Sequence, residues 1–207
     1  MRAEPKTSSA QKAKTFIQKM ESMNPHHLFL YMSVMGSAFI FVFVLITFNI
    51  SGASGIDIQF PPAFYVATLS LIIANLSIRR VIRHFLEENM HKIVVFIGIT
   101  MMMNITFLLS QFVAWEQLYY QGVRISGDAF GSYIYLISAL HVLHLLAAFV
   151  FLARQFFTYL RASSDAVKAL MVTTNPYHLV KLKMLVTCWN FLDIVWIAIA
   201  INFFIVL

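Results

Sequence analysis

Apolar and charged positions are sharply segregated along this chain. Five stretches, 28–50, 61–78, 93–114, 129–153 and 184–207, contain no Lys, Arg or Glu. Each is long enough, at about 1.5 Å per helical residue, to approach or exceed the roughly 30 Å hydrocarbon thickness of a bilayer. The strict apolar–polar alternation of barrel strands is missing. The pattern predicts an all-α polytopic membrane protein, a bundle of five transmembrane helices. The first stretch exceeds a signal-peptide core and is read as a retained span.

Charge then orients the bundle. Of the 15 Lys and Arg, all but Arg124 fall before the first span, between the second and third, or between the fourth and fifth. The positive-inside rule therefore puts the N-terminus and those two connections in the cytoplasm and the C-terminus outside. Residues 1–27 form a cytoplasmic tail, in which Phe16, Ile17 and Met20 give a faint surface-helix pattern, and 28–207 form the membrane domain. Pro61 and Pro62 open the second span, where a missing amide donor costs least, and Arg79 and Arg80 close it at the negative end of the helix dipole. Trp115, Tyr119 and Tyr120 mark the outer interface.

Composition agrees. The chain is 60% hydrophobic and 12% charged, with a mean hydropathy of +0.77, which excludes a disordered or disulfide-rich chain. The net charge of +6 reports topology rather than nucleic-acid binding. Cys188 stands alone, so an internal disulfide and a thiolate-bridged copper pair are excluded, and a small buried hydrophobe is expected there.

Ionisable groups inside hydrocarbon are candidates for function, because burying them unpaired is expensive. Three occur: Asp193, about 13 Å into the fifth span, and His141 and His144, about 18 and 22 Å into the fourth. A His-to-Asp contact between spans four and five is the cheapest arrangement. His141 and His144, at i and i+3, share one helix face; they can approach one small metal but cannot occupy opposite axial positions of a haem. No other span carries a histidine, so structural hydrogen bonding is preferred to ligation and no metal is expected. Trp189, Asp193 and Trp196 form one stripe on the fifth span. Whether Asp193 is a protonated donor or an anion depends on its partner. Asn75, Asn104, Ser110 and Gln111 are expected to make interhelical hydrogen bonds, Gly127 and Gly131 to allow close helix approach, and Met101, Met102 and Met103 to act as adaptable packing. No catalytic triad, paired-carboxylate site or phosphate loop is present.

The fourth span runs from Gly131 and Ser132 to His141 and His144, and the fifth reads Trp189-Asn190-Phe191-Leu192-Asp193-Ile194-Val195-Trp196. With Pro61–Pro62, the basic connection from Arg79 to His91 and the segment from Gln111 to Gly122, these motifs follow in the order found in subunit III of haem-copper cytochrome c oxidases. Over residues 28–207 the chain resembles that family, in the five-span form that lacks the first two of seven helices. Three positions depart from the family pattern: Ala38 stands where a glutamate is usual, Ala114 where an acid is common (Glu116 lies nearby), and Asn190 where histidine is usual.

The resemblance implies an accessory, non-redox subunit of a proton-pumping terminal oxidase in the bacterial cytoplasmic membrane. Such a chain carries no catalytic centre and no cofactor; haem and copper belong to partner subunits. Its implied partners are subunit I directly, subunit II, small subunits that supply the missing helices, and membrane phospholipid. His141, His144, Asp193, Trp189, Trp196, Gln111 and Glu116 are then helix-orienting or lipid-contacting, and Arg79, Arg80 and Arg83 meet anionic headgroups. The implied role is lipid retention, support of proton uptake and a longer enzyme working life during oxygen reduction. A quinol oxidase subunit III or the accessory subunit of a nitric oxide reductase remains open, as does an autonomous membrane cytochrome or transporter using the His and Asp cluster.

Overall fold

The computed structural model describes residues 25–51, 58–125 and 129–206, with side chains from Leu28 onward. Among them every regular element is helical: α1 (Pro25–Ile50), α2 (Pro62–Leu86), α3 (Met90–Tyr120), α4 (Ala129–Ser163), α5 (Ala166–Thr174) and α6 (Pro176–Val206). All but α5 are long and apolar enough to cross a membrane. The tail pattern at Phe16, Ile17 and Met20, and Gly127, lie outside the described residues.

The helices outrun the apolar stretches. α4 has 35 residues, about 52 Å, which exceeds the roughly 40–45 Å of a bilayer with its headgroups. Loss of apolarity does not end a helix; local capping chemistry does. Glu87 and Glu88 turn the chain after α2, with Glu88 at φ 55°, and the Asn89 side chain accepts from the Lys92 amide to open α3. Asp165 accepts from the Val167 amide at 2.9 Å and opens α5, a short helix that the apolar pattern does not announce. Asn175 opens α6 in the same way through the Tyr177 amide, at 3.0 Å.

α2 and α3 form the most extensively packed pair, α3 also packs on α4, and α6 lies against α1, α2 and α4. α1 rests mainly on α4 and α6 and turns only Ser37, Phe41 and Phe48 fully inward. Phe48 stacks on Phe130 with centroids 4.9 Å apart.

Polar pins set the rotation of the helices about their axes. The Ser77 hydroxyl donates to the Phe96 carbonyl (2.9 Å), tying α2 to α3, and the Trp115 indole N–H donates to Ser138 Oγ (2.9 Å), tying α3 to α4. At the proline end of α2, Gln117 Oε1 accepts from the Ala63 amide (3.3 Å) and Gln121 Oε1 from the Gln59 amide (2.7 Å). The glutamines thereby supply acceptors to amides at and just before the start of this helix, where the N-cap Pro61 has no side-chain oxygen to offer. Close approach is required at Gly131, where a Cβ would lie 3.0 Å from Val123 Cγ1 and 3.2 Å from the Arg124 carbonyl oxygen.

Candidate functional site

Asn75 on α2 donates from Nδ2 to Asn190 Oδ1 on α6 (3.1 Å) and to Asp193 Oδ2. Arg79, one turn along α2, donates from Nε to the same Asn190 oxygen (2.9 Å). The result is a ladder, Arg79 to Asn190 to Asn75 to Asp193, that leads from an exposed guanidinium to a buried carboxyl. Its spacing explains it: i and i+4 on α2 face i and i+3 on α6, so alternate rungs come from opposite helices.

The expected His-to-Asp contact does not form. Trp196 sits between Phe64, Phe107 and His141, with centroids at 5.8, 4.9 and 5.2 Å, and its indole N–H donates to Thr68 Oγ1 on α2 at 3.0 Å. That bond fixes the rotation of α6 and aims Asp193, three residues earlier, at α2 rather than α4. His141 is enclosed instead by aromatic rings: Phe41, Phe107 and Trp196. Its two nitrogens meet no hydrogen-bond partner among the described residues. His144 Nδ1 lies 2.7 Å from the Leu140 carbonyl of its own helix, and its ring shares with His141 a contact to Phe41, with centroids 5.3 and 6.1 Å away. Among the described residues no three His, Cys, Asp or Glu side chains converge.

Trp189, Asp193 and Trp196 are all buried, so the stripe faces inward as its spacing predicts. The reading of the neutral polar residues needs correction. Asn75 makes an interhelical bond, but Ser110 turns back to the Phe107 carbonyl of its own helix (2.7 Å), and the side-chain polar atoms of Asn104 and Gln111 find no partner among the described residues. An amide in a helix gains an interhelical bond only where the facing helix offers a group at that height, and periodicity does not show this.

At the basic end of the bundle, Arg80 lies over the Phe96 ring, 5.6 Å from its centroid. Arg83 donates from Nε to Glu87 Oε1 (2.9 Å), and His84 Nδ1 is 2.8 Å from Glu87 Oε2. These two side chains hold the Glu87 carboxyl below its ordinary range. Glu116, Tyr119 and Tyr120 are exposed at the opposite end. A cleft of about 380 Å³ opens between α1, α4 and α6; its wall is apolar apart from His144, Ser33 and Ser37, and Cys188 is half-buried on it rather than lost in the core. Sequence reasoning missed this cleft and the pairing of Asn75 with Asn190. The joint spacing of Asn75 and Arg79 against Asn190 and Asp193 was the available signal.

Fold and centre together define a multi-pass helical membrane protein with a buried polar core. Over 103 residues, 48% of this chain, it is 32% identical to a protein of Mycobacterium leprae named "Probable cytochrome c oxidase subunit 3". The match spans about half of that protein, 45% of its length. No family model matches the chain.

Proposed function

We propose that the chain is the accessory, non-redox subunit III of a bacterial cytochrome c oxidase, seated on subunit I in the cytoplasmic membrane. The observation that carries this reading is the 32% identity over 103 residues to the mycobacterial protein. The five apolar helices agree with it, as does the inward stripe of Trp189, Asp193 and Trp196, in which the family-like motif of the last span serves as a packing seam.

In this role the chain transfers no electrons; haem and copper sit on partner subunits. The basic end, with Arg79, Arg80 and Arg83, faces the cytoplasm and anionic headgroups, and the C-terminus lies outside. The apolar cleft beside His144 retains a lipid chain, and the subunit supports proton uptake and prolongs the working life of the oxidase. Ala38 and Ala114, where acids are usual in the family, leave the scaffold role as the principal one.

A mild-detergent pull-down of the tagged full chain from its native membranes tests the proposal. Haem spectrum, copper content and partner identities are read on the same sample. Recovery with a haem- and copper-bearing polytopic subunit is expected. Recovery alone, or with haem bound to the isolated chain, would overturn the assignment and return attention to His141, His144 and Asp193 as a site in their own right.

A further inference from the structure

Four side chains at the bundle centre carry polar atoms with no hydrogen-bond partner among the described residues: both amide atoms of Asn104, both of Gln111, both ring nitrogens of His141, and Oδ1 of Asp193. Their exposures are 0, 1, 0 and 6%. A polar group buried without a partner forfeits its full desolvation cost, and in lipid no bulk water is at hand to relieve it. Seven of the eleven such atoms among the described residues fall on these four side chains, and a buried polar group without a partner calls for a specific explanation.

They are not scattered. Phe107 of α3 touches both His141 of α4 and Trp196 of α6. Asn104 lies one turn to one side of Phe107 and Gln111 one turn to the other, all three on the buried face of α3. Beyond Asn104, the Thr100 hydroxyl reaches the Ala74 carbonyl of α2 at 3.5 Å, next to Asn75, which bonds Asp193. Phe107 meets Trp196 across the bundle, and Asn104 and Asp193 each lie three residues before that contact on their own helices, which puts Asn104 near the height of Asp193. Beyond Gln111, Trp115 donates to Ser138 of α4 at 2.9 Å. Gln111 therefore faces the turn of α4 between Ser138 and His141. The unpartnered atoms line one seam, with the Arg79 ladder at one end and the Trp115–Ser138 bond at the other.

The chemistry of the seam selects its ligand. Each primary amide presents two N–H donors and a carbonyl acceptor, a neutral imidazole one donor and one acceptor, and Asp193 Oδ1 a further oxygen. A bare cation would satisfy the oxygens and leave the amide hydrogens unmet, and an anion would do the reverse. A small molecule that both donates and accepts meets all of them. We propose that the bundle centre is a binding site for ordered water, which bridges Asp193, Asn104, His141 and Gln111 and extends the polar ladder from Arg79 into the half of the bundle that carries Ser138. Internal waters of this kind make about three hydrogen bonds each to otherwise unsatisfied groups. The inference concerns this chain's own interior and stands whether or not the oxidase reading holds.

The test uses the full chain in lipid bilayers, with nitrogen-15 in Asn, Gln, His and Trp, and solid-state NMR transfer of polarisation from water. Asn104→Leu and Gln111→Leu, near in volume, serve to assign the two amide signals. The Trp196 indole, buried and bonded to Thr68, is the internal dry reference. Build-up of water polarisation on the Asn104 and Gln111 amides and the His141 ring is expected to be several-fold faster than on the Trp196 nitrogen. Build-up at those three side chains no faster than at Trp196 would overturn the proposal.

Discussion

Replacing Asn75 with leucine removes the rung that joins α2 to α6, and a double-mutant cycle with Asp193→Leu isolates what that rung contributes. In the wild type, Asn75 Nδ2 serves both Asn190 Oδ1 and Asp193 Oδ2. The neutral bond is worth about 0.6 kcal/mol, typical of interhelical bonds in membranes. The bond to Asp193 is worth about 1.5–3 kcal/mol if the group is a carboxylate, and the buried oxygen left behind carries its desolvation cost. Asn75→Leu alone should therefore destabilise the fold by about 2–3.5 kcal/mol. With Asp193→Leu already present only the Asn190 bond remains to be lost, about 0.6 kcal/mol. The coupling energy is then about 1.5–3 kcal/mol for a carboxylate and nearer 0.6 kcal/mol for a neutral acid, so the cycle also reports the charge state of Asp193. Unfolding in mixed detergent micelles, followed through the buried Trp189 and Trp196, gives the four free energies. A coupling below about 0.3 kcal/mol, the scatter of independent sites, would refute the ladder as an energetic unit.

Trp196→Phe keeps a ring against His141 and Phe107 but deletes the N–H bonded to Thr68. It is expected to cost about 0.6–1.7 kcal/mol, against about 3–5 kcal/mol for Trp196→Ala, in the same micelle assay. Gly131→Ala forces a Cβ to within 3.0 Å of Val123 and 3.2 Å of backbone and should destabilise by about 1–3 kcal/mol, whereas Gly36→Ala, in the interior of α1 with nothing within 4 Å, should raise the unfolding midpoint through a helix-propensity gain of about 0.4–1 kcal/mol. The pairing of Glu87 with Arg83 and His84 holds its carboxyl below the ordinary value of 4.5. Its contribution is thus complete above that value and is lost as pH falls through the lowered one. The protection of amides at the α2–α3 turn, measured against their intrinsic exchange rate at each pH, should fall on acidification below about pH 4, and Glu87→Gln should show the lower protection at neutral pH already.

Five membrane-length helices were legible because unbroken apolar runs of this length have few other uses. Their ends were not, because capping by Asn89, Asp165 and Asn175 sets them and those residues lie outside the apolar runs. The inward face of α6 could be read from the spacing of Trp189, Asp193 and Trp196. Its rotation toward α2 could not, because periodicity fixes a residue's angle on its own helix and says nothing of the helix it meets. That choice belongs to Thr68, 128 residues away in sequence from Trp196. The unpartnered state of His141, Asn104 and Gln111 was equally invisible, since each has an ordinary hydrogen-bonding use that only the opposite helix can grant or withhold.

The seating of α1 bears on how the protein is made. α1 leaves the ribosome first among the described helices, yet the surfaces it rests on belong mainly to α4 and α6, the last two long helices to be synthesised. Only Ser37, Phe41 and Phe48 are fully buried when it docks. α1 must therefore wait in the bilayer as a solitary helix while α2 and α3 close on each other. Its seat is complete only once α4, which meets Phe41 and Phe48 through His141, His144 and Phe130, and α6, which meets Phe48 through Phe203, have followed it into the membrane.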